Sequence, residues 1–251
     1  MSADLRIFES APEAVDAAAK LWAECAHEAA RARGTFRIAL SGGRTPKALF
    51  FLLAKPAFAD LPWDRTEFFW GDERYAPISH GESNFRGAND LLLTPVGAVA
   101  DRIHKMPTAG TDPVKDAQRY EESLRRHFGE ALDPDGFPVL DFALQGLGAD
   151  GHTASLFPEK PALQENVRWV VAARAPGSAT IRDRLTLTVP VLRRARRIVF
   201  LATGREKAEA VREWLEGTEP PERCPAKLIT PLGGSRTVLL DREAADLLKN
   251  R

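Results

Sequence analysis

The sequence is short of cysteine and carries no excess of either charge. Its 251 residues include only Cys25 and Cys224, which are too few for a disulfide framework, so we expect a reducing, cytoplasmic environment. The 35 basic residues are balanced by 35 acidic residues. Nucleic-acid-binding proteins normally carry a clear basic excess, so this balance argues against a nucleic-acid partner.

Long hydrophobic runs are also missing. The longest apolar stretch covers residues 48–54 and is far shorter than the roughly 18 residues of a membrane span. Residues 1–12 contain no apolar signal core, so we expect neither secretion nor a membrane partner. The composition is typical of a globular chain, with 44% apolar and 28% charged residues. A chain of this length supports one large core, so we expect a single domain over residues 1–251.

Helix-forming and strand-forming segments alternate along the chain. Apolar residues repeat every three or four positions in residues 12–33 and Gly34 follows, which predicts an amphipathic helix with a glycine stop. Further helices are predicted from Thr45 as N-cap, over 83–93, 112–129 and 206–215, and after Asp241. Strands are predicted over 35–40, 66–70, 102–106, 139–145, 169–173, 185–189, 198–203, 227–229 and 238–240. This pattern predicts an α/β fold with a mainly parallel, Rossmann-like sheet, in which ligands bind at the carboxyl ends of strands.

The first unusual loop is the strand-to-helix turn Ser41-Gly42-Gly43-Arg44-Thr45. Paired glycines let backbone N–H groups point at an anion, and the positive end of the following helix adds to the attraction. The Arg44 guanidinium could make a bidentate contact with a phosphate. The alternative is a tight turn that needs glycine dihedral angles and binds nothing.

Two further loops carry charged residues directly after strands. Asp72-Glu73-Arg74 follows an apolar strand, and its charges must be solvated or paired. The segment is therefore either a solvated loop with a local ion pair, or a carboxylate and a guanidinium that face one ligand. Lys207 lies in the first turn of a predicted helix, where a cation opposes the helix dipole, so an anion is expected beside it.

The glycine-rich loop over residues 146–152 follows another strand. It matches the dinucleotide pattern G-x-G-x-x-G, but Pro158 interrupts the long helix that such a site needs. The same glycines could instead present Asp150 and His152 at the floor of a cleft. Histidine is the natural general base near neutral pH.

A divalent metal is a further alternative for these loops. Asp72, Glu73, Asp150 and His152 offer possible ligands. However, the chain has no His-x-x-x-His pair and no cysteine cluster, so we expect no catalytic metal.

Taken together, these segments resemble the 6-phosphogluconolactonase family of the glucosamine/galactosamine-6-phosphate isomerase superfamily. The resemblance covers nearly the whole chain in the family's order, and DGHTASLFP (150–158) is its most specific part. The other matching stretches are LSGGRTPKALF (40–50), WGDERYAP (70–77) with Ser83-Asn84, RLTLTVPVL (184–192), FLATGREKA (200–208) and PAKLI (225–229).

The resemblance implies a three-layer α/β/α sandwich, with hydrolysis of 6-phospho-D-glucono-1,5-lactone in the oxidative pentose-phosphate pathway. The substrate is a small sugar-phosphate lactone, no cofactor is implied, and a monomer or weak homodimer is expected. By position, His152 matches the general base, and Asp72 and Arg74 match the acid and arginine of a family motif. Asp72 is expected to orient the imidazole, and Arg74 to serve the oxyanion or the phosphate. The substrate and its phosphate are expected to meet Ser41, Gly42, Gly43, Arg44, Thr45, Asn84, Gly148, Asp150, Gly151, Arg184 and Lys207.

Two positions depart from the family's common pattern. Arg44 stands where a serine is frequent and adds a charge near the phosphate, and Arg193 replaces a frequent asparagine. Two rival functions stay open. One is a sugar-phosphate deaminase or isomerase of the same fold, against which residues 153–158 argue. The other is a non-catalytic sugar-phosphate-sensing module, which usually accompanies a basic helix-turn-helix segment.

Overall fold

A computed structural model describes residues 4–177 and 179–249 of the chain. Six parallel strands form a central sheet in the order β1-β9-β8-β5-β2-β3, and three antiparallel strands form a second sheet in the order β4-β7-β6. The strands are β1 (Asp4–Phe8), β2 (Phe36–Leu40), β3 (Thr66–Trp70), β4 (Asp72–Arg74), β5 (Phe142–Gln145), β6 (Val170–Arg174), β7 (Asp183–Leu187), β8 (Arg197–Ala202) and β9 (Ser235–Asp241).

Helices cover both faces of the central sheet. They are α1 (Ala11–Arg33), α2 (Arg44–Leu53), α3 (Asn84–Ala88), α4 (Pro113–Phe128), α5 (Val189–Arg193) and α6 (Ala208–Glu216). Trp22 of α1 is fully buried, with its ring centroid 5.8 Å from that of Phe142 on β5. Trp214 of α6 lies 4.4 Å from Phe200 of β8. In the β5–β8 register Phe142 lies beside Arg197, three residues before Phe200. Because side chains alternate along a strand, Phe142 and Phe200 point to opposite faces of the sheet.

These contacts confirm the predicted α/β fold with a mainly parallel sheet. Local predictions held at several helix ends. Ser83 accepts a hydrogen bond from the Arg86 amide, Asp112 accepts two from the first turn of α4, and Gly34 ends α1 in the left-handed conformation. These residues satisfy backbone groups that a helix end leaves unpaired.

Several other local predictions were wrong. Residues 72–74 form strand β4 rather than a loop, and the strand β1 was not predicted. Residues 227–229 were predicted to be extended, but Pro225–Leu228 forms a 3-10 turn because proline fixes a helical φ. Residues 102–106 contribute a bridge between Ile103 and Phe68 instead of a strand.

One predicted cap and one predicted helix also differ. Helix α2 begins at Arg44, with Gly43 as its N-cap, because the Thr45 hydroxyl bonds to Thr203 instead of capping the helix. Asp241 does cap the backbone amide of Ala244 at 2.8 Å, but the residues after it form turns rather than the expected helix.

The order of the strands places the carboxyl ends of β2 and β5 side by side. The chain continues from β2 to β3 on one side, whereas β5 pairs with β2 on the other side. This arrangement is a topological switch point, where loops diverge and leave a crevice for a ligand.

In the described part of the chain, no helix combines the length and apolar character that crossing a bilayer requires.

A histidine pair lies between β3 and α4, away from this crevice. The rings of His104 and His127 are 4.1 Å apart, and His104 stacks on Phe69 at 4.6 Å. Burial, and then the neighbouring His127, lower the pKa of His104 to about 4. Although burial acts against it, hydrogen bonds from His127 and Arg37 lower the pKa of Glu67 to about 2.

These pKa values predict a loss of stability below neutral pH. An unfolded histidine titrates near 6.5, so between pH 6.5 and 4 the unfolded chain binds more protons than the folded chain. His104 therefore makes stability fall as pH falls through this window, by about 1–2 kcal/mol between pH 7 and 5. The contribution of Glu67 is lost only at lower pH, from about 4.5 toward 2.

We expect His104→Phe to flatten this dependence, because the new ring can still stack on Phe69 but cannot take up a proton. Urea unfolding of the variant and of the wild-type protein at pH 7 and pH 5 measures the difference. His27→Ala serves as the control, since His27 lies in a partly exposed pair with Asp60. If the free energy of unfolding fell equally from pH 7 to pH 5 in His104→Phe and in the wild-type protein, the pH dependence would not come from His104.

Candidate active site

A cavity of about 440 Å³ opens at the carboxyl ends of β2, β3 and β5. It gathers most of the residues that the sequence singled out: Ser41, Gly42, Gly43, Asp72, Arg74, Asn84, Gly148, Asp150, His152, Arg184 and Lys207. Arg44 and Thr45 instead line an adjoining cavity of about 810 Å³, which shares Gly42, Gly43 and Lys207 with the first. The smaller cavity holds the titratable groups that face one another, so it is the candidate active site.

One end of the cavity is formed by the N-terminus of α2. Gly43 is the N-cap residue, with φ 106°, and it has no side chain that could bond to the helix amides. The first turn contains no acidic residue. Pro46 has no N–H and the Lys47 amide bonds to the Gly43 carbonyl, so Arg44 and Thr45 are the first-turn residues whose amides can serve an anion, which the helix dipole favours. Gly42 permits close packing here, since a Cβ at this position would lie 1.8 Å from Oδ1 of Asn84.

Three cations face the same cavity. Arg74 of β4 and Arg184 of β7 are directly opposite each other in the antiparallel pair. Burial, and then the charge of Arg74, lower the pKa of Arg184, and burial also lowers the pKa of Lys207. Like charges opposite each other destabilise a sheet. The concentration of positive charge in one cavity therefore favours an anionic ligand.

The Arg44 side chain does not join this group. Its guanidinium forms an ion pair with Glu206 and is 88% exposed. The added charge at this family position is therefore largely balanced by a neighbouring carboxylate. A direct phosphate contact from Arg44 would require this pair to open.

The loop after β5 presents a histidine–carboxylate pair. Nδ1 of His152 lies 2.5 Å from Oδ1 of Asp150, and the His152 amide donates to the same oxygen at 3.2 Å. Burial acts to raise the pKa of Asp150, but the hydrogen bonds from His152 outweigh it and the pKa lies below its usual value. A carboxylate accepts hydrogen bonds, so Nδ1 carries the proton, and among the described residues Nε2 has no hydrogen-bond partner.

The glycines of this loop allow that geometry. A Cβ on Gly148 would lie 2.0 Å from Nδ1 of His152, so the ring occupies the space that any side chain would need. Gly151 has φ 80° and packs behind the loop, where its Cβ would lie 2.9 Å from Sγ of Cys224. Gly151 thus supports the loop from the protein interior rather than lining the cavity.

Asp72 does not contact the histidine as the sequence led us to expect. In residues 4–177 and 179–249, its carboxylate accepts hydrogen bonds from Ser155 Oγ at 2.6 Å and from Asn84 Nδ2 at 3.3 Å, and the imidazole partner is Asp150. The reason is topological. Asp72 lies on the second sheet, whereas Asp150 is two residues from His152 in the same turn.

Glu73 points away from the cavity and anchors α3. Its carboxylate accepts bonds from the amides of Asn84 and Phe85, both at 2.7 Å, and from the Ser83 hydroxyl at 3.1 Å. Burial nevertheless raises the pKa of Glu73. Among the described residues, no three histidine, cysteine or acidic side chains are grouped so that they could hold a metal ion.

Sequence reasoning missed two side chains of the site. Ser155 is 1% exposed and bonds to Asp72, while the Phe157 ring lies 4.8 Å from the His152 ring. Both residues belong to the stretch 150–158 that carried the family resemblance. The signal was therefore present, but the sequence did not show where either side chain pointed.

The fold and the cavity define a class of protein: a doubly wound α/β protein whose cleft combines several cationic side chains with a histidine–carboxylate pair. The family model for glucosamine-6-phosphate isomerases and 6-phosphogluconolactonases matches residues 9–239. The chain therefore belongs to this family.

Individual relatives agree with this assignment. A 6-phosphogluconolactonase of Synechocystis is 43% identical over 217 residues, which are 86% of each chain. One from Mycobacterium bovis is 35% identical and covers 98% of both chains. The solved 6-phosphogluconolactonase of Trypanosoma cruzi superimposes with a TM-score of 0.87 at 31% identity, over 99% of this chain and 97% of that one.

The close contact at Gly148 can be tested directly. We expect Gly148→Ala to lower kcat for the family's lactone substrate at least 100-fold, because the new methyl group displaces the His152 ring (a general base supplies ~10²–10⁴-fold). Gly81→Ala is the matched control, because a Cβ at Gly81 has nothing within 4 Å. Initial rates, with melting curves to verify folding, measure the effect. A Gly148→Ala rate equal to that of Gly81→Ala would show that the ring is not held against this glycine.

Proposed function

We propose that this protein hydrolyses 6-phospho-D-glucono-1,5-lactone to 6-phospho-D-gluconate. The observation that carries the proposal is the pairing of His152 with Asp150 in the same cavity as three cations. Such a cavity suits a ligand with an anion at one end and a carbonyl group open to attack at the other. A six-membered lactone with a phosphomonoester meets both requirements, and the names of the relatives agree with it.

His152 would act as the general base. Its Nε2 removes a proton from a water molecule as the water oxygen attacks the C1 carbonyl of the lactone. The tetrahedral intermediate collapses with cleavage of the bond between C1 and the ring oxygen. That oxygen receives the proton from the imidazolium and becomes the C5 hydroxyl group. Asp150 holds the ring in the required tautomer and stabilises its charged form, which is the usual role of a carboxylate behind a catalytic histidine.

The other end of the cavity would hold the phosphate. The amides of the α2 N-terminus, together with Lys207 and Arg184, supply hydrogen-bond donors and positive charge. Burial of Lys207 and Arg184 removes them partly from water, which strengthens their attraction for an anion. Arg74 and Arg184 are neighbours across the β4–β7 pair, and we assign Arg184 to the phosphate and Arg74 to the oxyanion that develops at C1.

The proposed reaction also bears on the partner, the cellular location and the oligomeric state of the protein. A sugar-phosphate lactone is the only partner that the site requires, and we infer a cytoplasmic enzyme that acts as a monomer or weak homodimer.

The lactone is an activated ester. We propose that a general base, worth about 10²–10⁴-fold, and an oxyanion donor, worth about 10²–10³-fold, act on it without a metal.

Replacement of the base is the primary test. We expect His152→Ala to lower kcat by 10²–10⁴-fold, and Asp150→Asn to lower it by at least 10-fold because the proton is no longer fixed on Nδ1. Initial rates on freshly made lactone, corrected for spontaneous hydrolysis, measure both effects. His27→Ala, at a partly exposed position away from the cavity, is the control. Equal rates in His152→Ala and His27→Ala would eliminate the proposed base.

The phosphate end is tested through KM. We expect Lys207→Ala to raise KM about 10-fold with kcat changed much less, because the ammonium binds the phosphate alike in substrate and transition state. Lys55→Ala is the matched control, since this exposed lysine lies over the Phe51 ring in the adjoining cavity. An unchanged KM in Lys207→Ala would remove this residue from the phosphate site.

A further inference from the structure

Ser155 links the histidine loop to the opposite side of the cavity. Its hydroxyl donates to Oδ2 of Asp72 at 2.6 Å, and Ser155 is 1% exposed and Asp72 8% exposed. The two residues are 83 positions apart in sequence. A short hydrogen bond from a buried hydroxyl to a carboxylate is charge-assisted and stronger than a neutral one.

The two oxygens of Asp72 are held unequally. Oδ2 accepts the 2.6 Å bond from Ser155, whereas Oδ1 accepts a longer bond of 3.3 Å from the Asn84 amide. That amide also donates to the Asp72 carbonyl oxygen at 2.9 Å, so it is shared between two acceptors. Because Asp72 lines the cavity, Oδ1 is the oxygen with capacity left for a ligand.

The backbone around Ser155 is held in a conformation that costs energy. Ala154 has φ 48°, in the left-handed region that non-glycine residues rarely adopt. It lies in a tight turn closed by the Leu156 amide bonding to the Thr153 carbonyl at 3.0 Å. The Ser155 amide is itself held by the Thr186 hydroxyl at 3.3 Å. The surrounding structure thus maintains a strained turn that directs the Ser155 hydroxyl to Asp72.

We propose that Ser155 is a positioning residue for Asp72. It fixes one carboxylate oxygen so that the other is directed at a hydroxyl group of the sugar ring, and it thereby sets the spacing between Asp72 and the histidine loop. This role rests on the proposed function, since it takes the bound sugar phosphate as the ligand of Asp72. No bond forms or breaks at Ser155 during the reaction.

The role predicts energetic coupling between Ser155 and Asp72. We expect Ser155→Ala to raise KM for the lactone about 10-fold with kcat changed less than 3-fold, because ligand contact through Asp72 is made in substrate and transition state alike. In an Asp72→Ala background, the same replacement changes kcat/KM less than 2-fold, because the residue through which Ser155 acts is absent. Asp72→Asn provides a second background if Asp72→Ala does not fold. Ser155→Thr, which keeps the hydroxyl, restores KM to within 3-fold of wild type.

Thr153→Val is the matched control in the same turn. Thr153 is as buried as Ser155, but its hydroxyl donates to Gln145 Oε1 at 2.9 Å. Its replacement has the same effect on kcat/KM with and without Asp72. Calorimetric titration with 6-phosphogluconate gives a readout besides turnover, and we expect about 10-fold weaker binding to Ser155→Ala than to wild type.

The outcomes separate this inference from the proposed function. Additive losses for Ser155→Ala and Asp72→Ala would overturn the positioning role, as would coupling of the same size for Thr153→Val. If the wild-type protein hydrolyses the lactone and the losses are additive, the inference about Ser155 alone fails. If the wild-type protein does not hydrolyse the lactone, the proposed function fails, and the positioning role fails with it.

Discussion

The parallel pairing of β2 with β5 is the constraint on which the site depends. Ile38 lies beside Phe142 and Ala39 beside Ala143, so both strands end at the same edge of the sheet. The turn that leads into α2 and the loop that carries His152 are therefore neighbours, although about 100 residues separate them. The buried aromatic side chains hold this register, because a slip of one residue would turn Phe142 away from Trp22. The packing of the core thus keeps the two loops that line the cavity next to each other.

The second sheet adds the part of the site that the central sheet cannot supply. Strand β4 follows β3 after one residue and pairs antiparallel with β7, which brings Arg74 opposite Arg184 and Asp72 opposite Thr186. Like charges at directly opposite positions destabilise a sheet, and an anion near both residues would reduce this cost. For the proposed ligand, the fold therefore positions the positive charges in advance of binding. Such preorganisation is what makes charges effective in a partly desolvated cleft.

Much of this arrangement could be predicted from the sequence, because strand ends in a parallel sheet converge. The turn after β2, the charged segment after β3 and the glycine loop after β5 each carry a local pattern, and topology alone is enough to bring them together. The antiparallel strand β4 could not be predicted in this way. Its three residues are all charged, and their pairing with β7 depends on contacts across more than 100 residues. Strand β1 is mostly exposed at the sheet edge, and its charged residues gave no buried pattern to detect.

The identity of the carboxylate behind His152 shows where sequence reasoning stops. Asp72 and Asp150 both follow strands that end at the cavity, and the family resemblance led us to expect Asp72 behind the histidine. The difference lies in the conformation of the turn. The amide of His152 donates to the same Asp150 oxygen that contacts Nδ1, so the backbone that places the histidine also places its partner. Asp72 lacks such a local link and depends on Ser155 and Asn84 for its orientation. A carboxylate held within the turn moves with the imidazole, whereas one held from another sheet can serve the ligand instead, and this separation allows the two acids to have different roles.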